Sequence, residues 1–135
     1  MQRVASPSSS TGIRKAYAGV LHTLGFGVLI NAFIAGRALI GAWEIDVHGY
    51  IGNAVFVLAV AAVVLAFVGR ADRVALGLTI ALFVLVFAQI GLGYSGRDNL
   101  DVRPWHIANG VLLFGVMTWA AARASMVGLR ADQPR

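Results

Sequence analysis

The chain has no cysteine. Disulfides, iron–sulfur clusters and thiolate metal sites are therefore excluded. Charge is also scarce, with 13% charged residues against 59% hydrophobic ones, the balance of a membrane protein rather than of a water-soluble domain. There is no Gly-rich phosphate loop, no nucleophile motif and no pair of carboxylates within an apolar segment, so nothing points to hydrolysis. The net charge is +5 and the pI about 10.8, yet no basic face carries interleaved aromatics, which argues against nucleic-acid binding. Few charges interrupt the apolar segments and no two of them are broken, which argues against a transporter.

What is present is four apolar runs, at about 16–42, 50–69, 74–94 and 106–126, each matching a hydrocarbon core about 30 Å thick. Backbone in lipid must satisfy its own hydrogen bonds, so the runs read as helices. Short loops at 43–47 and 70–73 force antiparallel neighbours. The predicted fold is all-α, an integral membrane up-down four-helix bundle over 14–128. The polar, Ser-rich segment 1–13 is predicted to be disordered and cytoplasmic, and 129–135 a cytoplasmic tail. The first run is too long for a signal-peptide core of about 7–15 residues, so an uncleaved, tilted or projecting first helix is expected. Small residues four apart, Ala32 with Gly36 and Gly77 with Ala81, are expected where helices approach closely.

The charges orient the bundle. Arg3, Arg14, Lys15, Arg70, Arg73, Arg123, Arg130 and Arg135 lie on one side. The other two loops hold Arg97 and Arg103 beside Glu44, Asp46, Asp98 and Asp101. The positive-inside rule puts both termini and the 70–73 loop in the cytoplasm, in a multi-pass cell-membrane protein. Trp43, Tyr50, Tyr94 and Trp105 then gather at the outer boundary, as an aromatic belt does.

At that boundary stand His48 and His106, 58 residues apart, each followed four residues later by a glycine, Gly52 and Gly110. Each opens the even-numbered helix of a helical hairpin. The chain thus reads as two repeated hairpins about an axis along the membrane normal, which would make the histidines face each other. The matched pattern points to one shared ligand, haem b. Each imidazole supplies a ligand, and the glycine one turn deeper leaves room for a flat macrocycle. Without cysteine, covalent c-type attachment is excluded. Two imidazoles on one iron leave no open position, which favours electron transfer over oxygen chemistry.

The surroundings supply further candidates. Arg97, Arg103 and Arg37 are candidates to meet the propionates, since Arg binds carboxylates in a bidentate way; Arg37 lies inside the span and must snorkel or pair. Glu44 is a candidate acceptor for the second ring proton of His48. Gln89 lies at the depth of the site, with Gly91 and Gly93 nearby as packing residues or as room for the macrocycle. Asn31, Asn53 and Asn109 read as interhelical hydrogen-bonding residues, worth about 0.6–2 kcal/mol each. His22 sits in the opposite half of the first helix and reads as a hydrogen-bonding residue; Met117 or Met126 would partner it in any second haem.

Other readings stand beside this one. His48 and His106 can be plain interfacial residues. The chain can be a non-catalytic subunit whose Gly-rich faces stabilise a larger complex or a homo-oligomer. A divalent metal can sit at the outer face on His48, His106 and Glu44 or Asp101, although a small ion does not explain the glycines.

The segments His48-Gly-Tyr and His106-Ile-Ala-Asn-Gly resemble one half of haem A synthase, whose two related four-helix halves each carry haem-facing histidines near the outer face. They are more similar to small bacterial four-helix membrane proteins of unassigned function, which show a His-Gly-Tyr-like start to helix 2 and a His-x-x-Asn-Gly start to helix 4. The likeness covers about 16–124 and its motifs are short. The chain is half the length of haem A synthase. Gly49 stands where an Arg commonly follows the helix-2 histidine, and Glu44 is farther from His48 than the family's acidic residue. The resemblance implies haem binding at His48 and His106 without synthase chemistry. The first functional expectation is a small b-type cytochrome that passes electrons between a membrane quinol and a redox partner at the outer face, or a haem-bearing subunit of a larger complex.

Overall fold

The computed structural model describes residues 8–131. Four helices follow in order: α1 (Ser8–Leu39), α2 (Ile45–Val68), α3 (Arg73–Asp98) and α4 (Arg103–Ala131), with a single 3₁₀ turn at Leu100–Val102 leading into α4. At about 1.5 Å per residue, even the shortest, the 24 residues of α2, outreach a hydrocarbon core. All four are long and apolar enough to cross a membrane. Successive helices pack side by side and α4 closes against α1, so the bundle is the expected up-down ring. The loops α1–α2 and α3–α4 share one end with the histidines. The α2–α3 turn, the start of α1 and the end of α4 share the other.

The helices exceed the apolar runs. Residues 8–13, expected to be disordered, form the first turns of α1, and α4 continues through 129–131 of the expected tail. The rest of both segments, 1–7 and 132–135, lies outside the described residues. Polarity marked where hydrocarbon ends, but a helix continues past that point at little cost because its own bonds are already satisfied.

Two helices end in the same hydrogen-bonded cap. After α1, Ala42 N–H donates to the Arg37 carbonyl (3.0 Å) and Gly41 N–H to that of Ala38 (2.9 Å), with Gly41 at φ +72°. After α2, Ala71 N–H donates to the Ala66 carbonyl (2.9 Å) and Arg70 N–H to that of Phe67 (3.1 Å). The left-handed position is filled there by Arg70, at φ 51°. This cap normally takes glycine, and a side chain there costs about 1–2 kcal/mol. The α3 N-terminus is capped by Asp72, whose Oδ1 accepts from the N–H groups of Val74 (2.9 Å) and Ala75 (3.0 Å) and from Arg123 of α4 (3.0 Å).

The core repeats as the hairpins do. Shifting five buried positions of α1 and α2 by 58 residues lands on buried positions of α3 and α4. Leu21 maps to Thr79, Leu24 to Leu82, Val55 to Leu113, Ala59 to Met117 and Ala62 to Ala120. The exchange of Ala59 for Met117 is accommodated on α1, where Gly25 leaves the space that the Met117 sulfur occupies. The small residues at helix contacts are Ala59, Ala62 and Ala66 of α2 and Ala120 and Ala121 of α4. The expected pairs are not there: Gly36 and Gly77 have nothing within 4 Å of a would-be side chain, and Ala32 and Ala81 are exposed. The outside of the bundle is apolar, with Phe26, Phe33, Phe67 and Phe87 all exposed, a surface suited to lipid.

The ends of α3 make testable demands. The hydrogen bond from Ala75, then the Arg123 guanidinium, hold the Asp72 carboxyl below the usual carboxylate range. Asp72→Ala should lower stability in detergent by about 0.5–2 kcal/mol, the usual effect of losing such a cap. Asp72→Asn should keep the cap and lose the ion pair. Because the folded pKa is depressed, the advantage of Asp72 over Asn is present above the unfolded pKa of about 3.9 and is lost as pH falls through the folded one. Melting curves of the three proteins against pH check this. Arg70→Gly should raise the melting temperature in neutral detergent by relieving the left-handed cap.

Candidate functional site

His48 lies in the first turn of α2 and His106 in the first turn of α4. Both are half-buried. Although α2 and α4 are diagonal in the ring, the two imidazoles meet across it, with ring centroids 5.9 Å apart and planes inclined by 77°.

Each ring is anchored the same way. His48 Nδ1 lies 3.1 Å from the backbone carbonyl of Asn31 on α1. His106 Nδ1 lies 3.1 Å from that of Gln89 on α3. In both cases the acceptor is 17 residues earlier, and Asn31 and Gln89 are themselves 58 residues apart. A carbonyl only accepts, so Nδ1 carries the proton in both rings. A neutral imidazole then has its lone pair on Nε2, the arrangement that orients a ligating histidine. The partner of the His48 ring proton is thus a main-chain carbonyl. Glu44, expected in that role, instead precedes α2 as its N-cap, makes no side-chain cap bond and is exposed.

The α3–α4 half is the more tightly bonded. The Gln89 amide nitrogen lies 3.0 Å from the His106 carbonyl and 3.2 Å from His106 Nε2. The Gln89 amide oxygen accepts from Asn109 Nδ2 at 2.6 Å, which also donates to the Leu85 carbonyl at 3.0 Å. In the α1–α2 half the Asn31 side chain takes the equivalent place, but its Oδ1 is buried without a partner. Asn53 bonds the Tyr94 hydroxyl across α2 and α3 at 3.4 Å.

The glycines are where the rings need space, and that space is filled by neighbours. A Cβ on Gly110 would stand 3.1 Å from the Gln89 amide nitrogen, one on Gly52 3.6 Å from that of Asn31, and one on Gly93 3.1 Å from His106 Cε1. Gly91 has nothing within 4 Å. A macrocycle against Gly52 and Gly110 therefore requires the two amides to swing aside.

The three arginines are not gathered into one anion site. Arg97 pairs with Asp46 at 3.3 Å and stacks on Tyr94 at 5.2 Å. Its guanidinium also lies 3.3 Å from a would-be Cβ of Gly49, beside His48. Arg103 Nε donates to the Gly96 carbonyl at 2.9 Å, and Arg37 lies over Trp43 at 5.6 Å. Among the described residues no group of three or more His, Cys or acidic side chains comes together. The three-ligand divalent site is therefore not formed, since Glu44 and Asp101 are both exposed in loop-end positions away from the ring pair. His22 bonds Ser125 of α4 at 2.9 Å, while Met117 packs at Gly25 and Met126 is exposed.

Asn31, read from the sequence only as an interhelical hydrogen-bonding residue, belongs to the site through its main-chain carbonyl. Its signal was available: the offset that relates His48 to His106 also relates Asn31 to Gln89. Family models, curated proteins and solved structures give no match to this chain.

The two glycines differ in a way that can be measured. Gln89 is held by its bonds to His106 and Asn109, so it cannot yield to a methyl group at 110, whereas Asn31 is already in ordinary contact distance of one at 52. Gly110→Ala should cost about 1–3 kcal/mol of stability by unmaking that network, and Gly52→Ala should cost far less. Equal losses in detergent melting experiments would show that the Gln89 network is not rigid.

Proposed function

We propose that the chain is a small membrane b-type cytochrome, holding one haem b between His48 and His106. It would pass electrons between a membrane quinol and a redox partner at the outer face, with both termini in the cytoplasm. The observation that carries this reading is the facing pair itself, two imidazoles at 5.9 Å, each with Nδ1 tied to a main-chain carbonyl. An imidazole nitrogen sits about 2.0 Å from its metal, so two rings sharing one ion would have centroids about 6 Å apart. The unpartnered Oδ1 of Asn31 adds support, because a buried polar atom without a partner costs about 1–3 kcal/mol and marks packing that a bound group would complete.

A haem on two imidazoles supplies one-electron transfer and leaves no coordination position for oxygen. The chain's own residues do the rest. The Asn31 and Gln89 carbonyls hold the ring planes and the tautomers. The Asn31 and Gln89 amides line the space next to the glycines. Arg97, fixed by Asp46 and Tyr94, puts a cation beside Gly49, where the haem A synthase resemblance carries an Arg in sequence. Arg37 and Arg103 complete the basic rim at this end, where propionates would lie.

A second reading is favoured by the Gln89–His106–Asn109 network, in which every bond is made by the protein alone. In that reading the pair locks two hairpins together, and the chain is a non-catalytic subunit of a larger complex or a homo-oligomer.

The two are separated by the visible spectrum, oxidised and dithionite-reduced. The cytochrome reading expects a red protein with a low-spin spectrum and about one haem per chain. His48→Ala or His106→Ala should lose haem or render it high-spin, while His22→Ala, at the other end, should not. A colourless preparation from haem-replete cells, with no haem by pyridine assay, overturns the cytochrome reading.

A further inference from the structure

At the end of the bundle opposite the histidines lies a cavity of about 190 Å³, lined by residues of α1, the α2–α3 turn, α3 and α4. Its lining residues include three arginines, Arg14, Arg70 and Arg123, with Tyr17 and one acidic residue, Asp72, and the rest are aliphatic, Leu65 and alanines among them. The cations are not balanced. Asp72 is already shared by two backbone N–H groups and one nitrogen of Arg123. The Nε of Arg123 is buried with no partner. Arg14 and Arg70 have no ion pair among the described residues.

We propose that this cavity binds a phosphate group, the headgroup of an anionic phospholipid in the leaflet at this end. Guanidiniums recognise phosphate oxygens through paired, charge-assisted hydrogen bonds, and basic pockets between transmembrane helices are where anionic headgroups dock. The volume admits a phosphate with some water, which takes about 30 Å³ per molecule. Aliphatic walls open to lipid suit an ester bearing acyl chains better than free phosphate. Topology alone would account for arginines scattered in the loops at this end. It does not account for three converging on one cavity, nor for Arg70 held at φ 51° in a cap that glycine fills without strain. The site is independent of the haem reading.

The test uses the full chain in neutral detergent, with short-chain phosphatidylglycerol, phosphatidylcholine or inorganic phosphate added back, read by native mass spectrometry and melting temperature. Retention of phosphatidylglycerol over phosphatidylcholine is expected. Arg14→Gln and Arg70→Gly should each weaken it tenfold or more, and Lys15→Gln, a neighbouring cation that does not line the cavity, should not. Arg70→Gly is the decisive variant, because it relieves the strained cap and should melt higher while binding less; lost binding there cannot be lost folding. Protection by inorganic phosphate with no preference between the lipids, abolished by the same variants, supports the phosphate site with a soluble ester as its source. Undiminished lipid retention in Arg14→Gln and Arg70→Gly, an equal loss in Lys15→Gln, or no response to either phosphate source overturns the proposal.

Discussion

In hydrocarbon, apolar side chains gain nothing by leaving lipid for one another, so this bundle depends on close approach and on hydrogen bonds between helices. Both are built from short side chains and main-chain acceptors. Ala59, Ala62 and Ala66 on α2 and Ala120 and Ala121 on α4 bring the backbones together. At the histidine end, the ring nitrogens reach carbonyls on the preceding helix. At the other end, Tyr17 bonds Thr79 across the bundle at 2.6 Å, and since Thr79 already donates to the Ala75 carbonyl at 2.8 Å, the tyrosine is the donor. Each polar group inside has an unfavourable alternative in lipid, which is why these few bonds fix the register of four otherwise slippery apolar rods.

The repeat is what turns that packing into a site. Two hairpins related by a shift of 58 residues put the same amide, the same histidine and the same glycine at one depth on opposite sides. The symmetry is broken at the pair itself, where the Gln89 amide nitrogen lies 3.2 Å from His106 Nε2. Gln89 is longer than Asn31 and so reaches the His106 carbonyl and Asn109 as well. Met117 replaces Ala59 and takes its room from Gly25.

Most of this architecture was legible in the sequence, for a physical reason: spans and their order follow from hydropathy and loop length, and the histidine pair from a repeated spacing. Helix ends were less legible, because Ser8 to Thr11 are polar yet helical. The pairs Ala32/Gly36 and Gly77/Ala81 were misassigned because small residues four apart specify a smooth face without saying what it touches. The partner of His48 was illegible in principle. A main-chain carbonyl has no letter in the sequence, so the visible acid, Glu44, drew the assignment instead. Arg70 in a left-handed cap was hidden by Gly69 next to it, which reads as the natural terminator but sits one residue early.

The two ends of the bundle divide the work. At the histidine end, cations are matched: Arg97 meets Asp46, Arg103 meets a carbonyl, Arg37 an aromatic face. At the other end Arg14 and Arg70 have no ion pair among the described residues, and Arg123 Nε is buried without a partner, beside a largely aliphatic cavity. The anionic surface of a membrane leaflet attracts such a surplus of positive charge. The repeat-related, locally balanced end is thus the one suited to a fixed group between helices. The asymmetric, unbalanced end is suited to an exchangeable one, and anchoring it would steady the α2–α3 turn through which the two hairpins are joined.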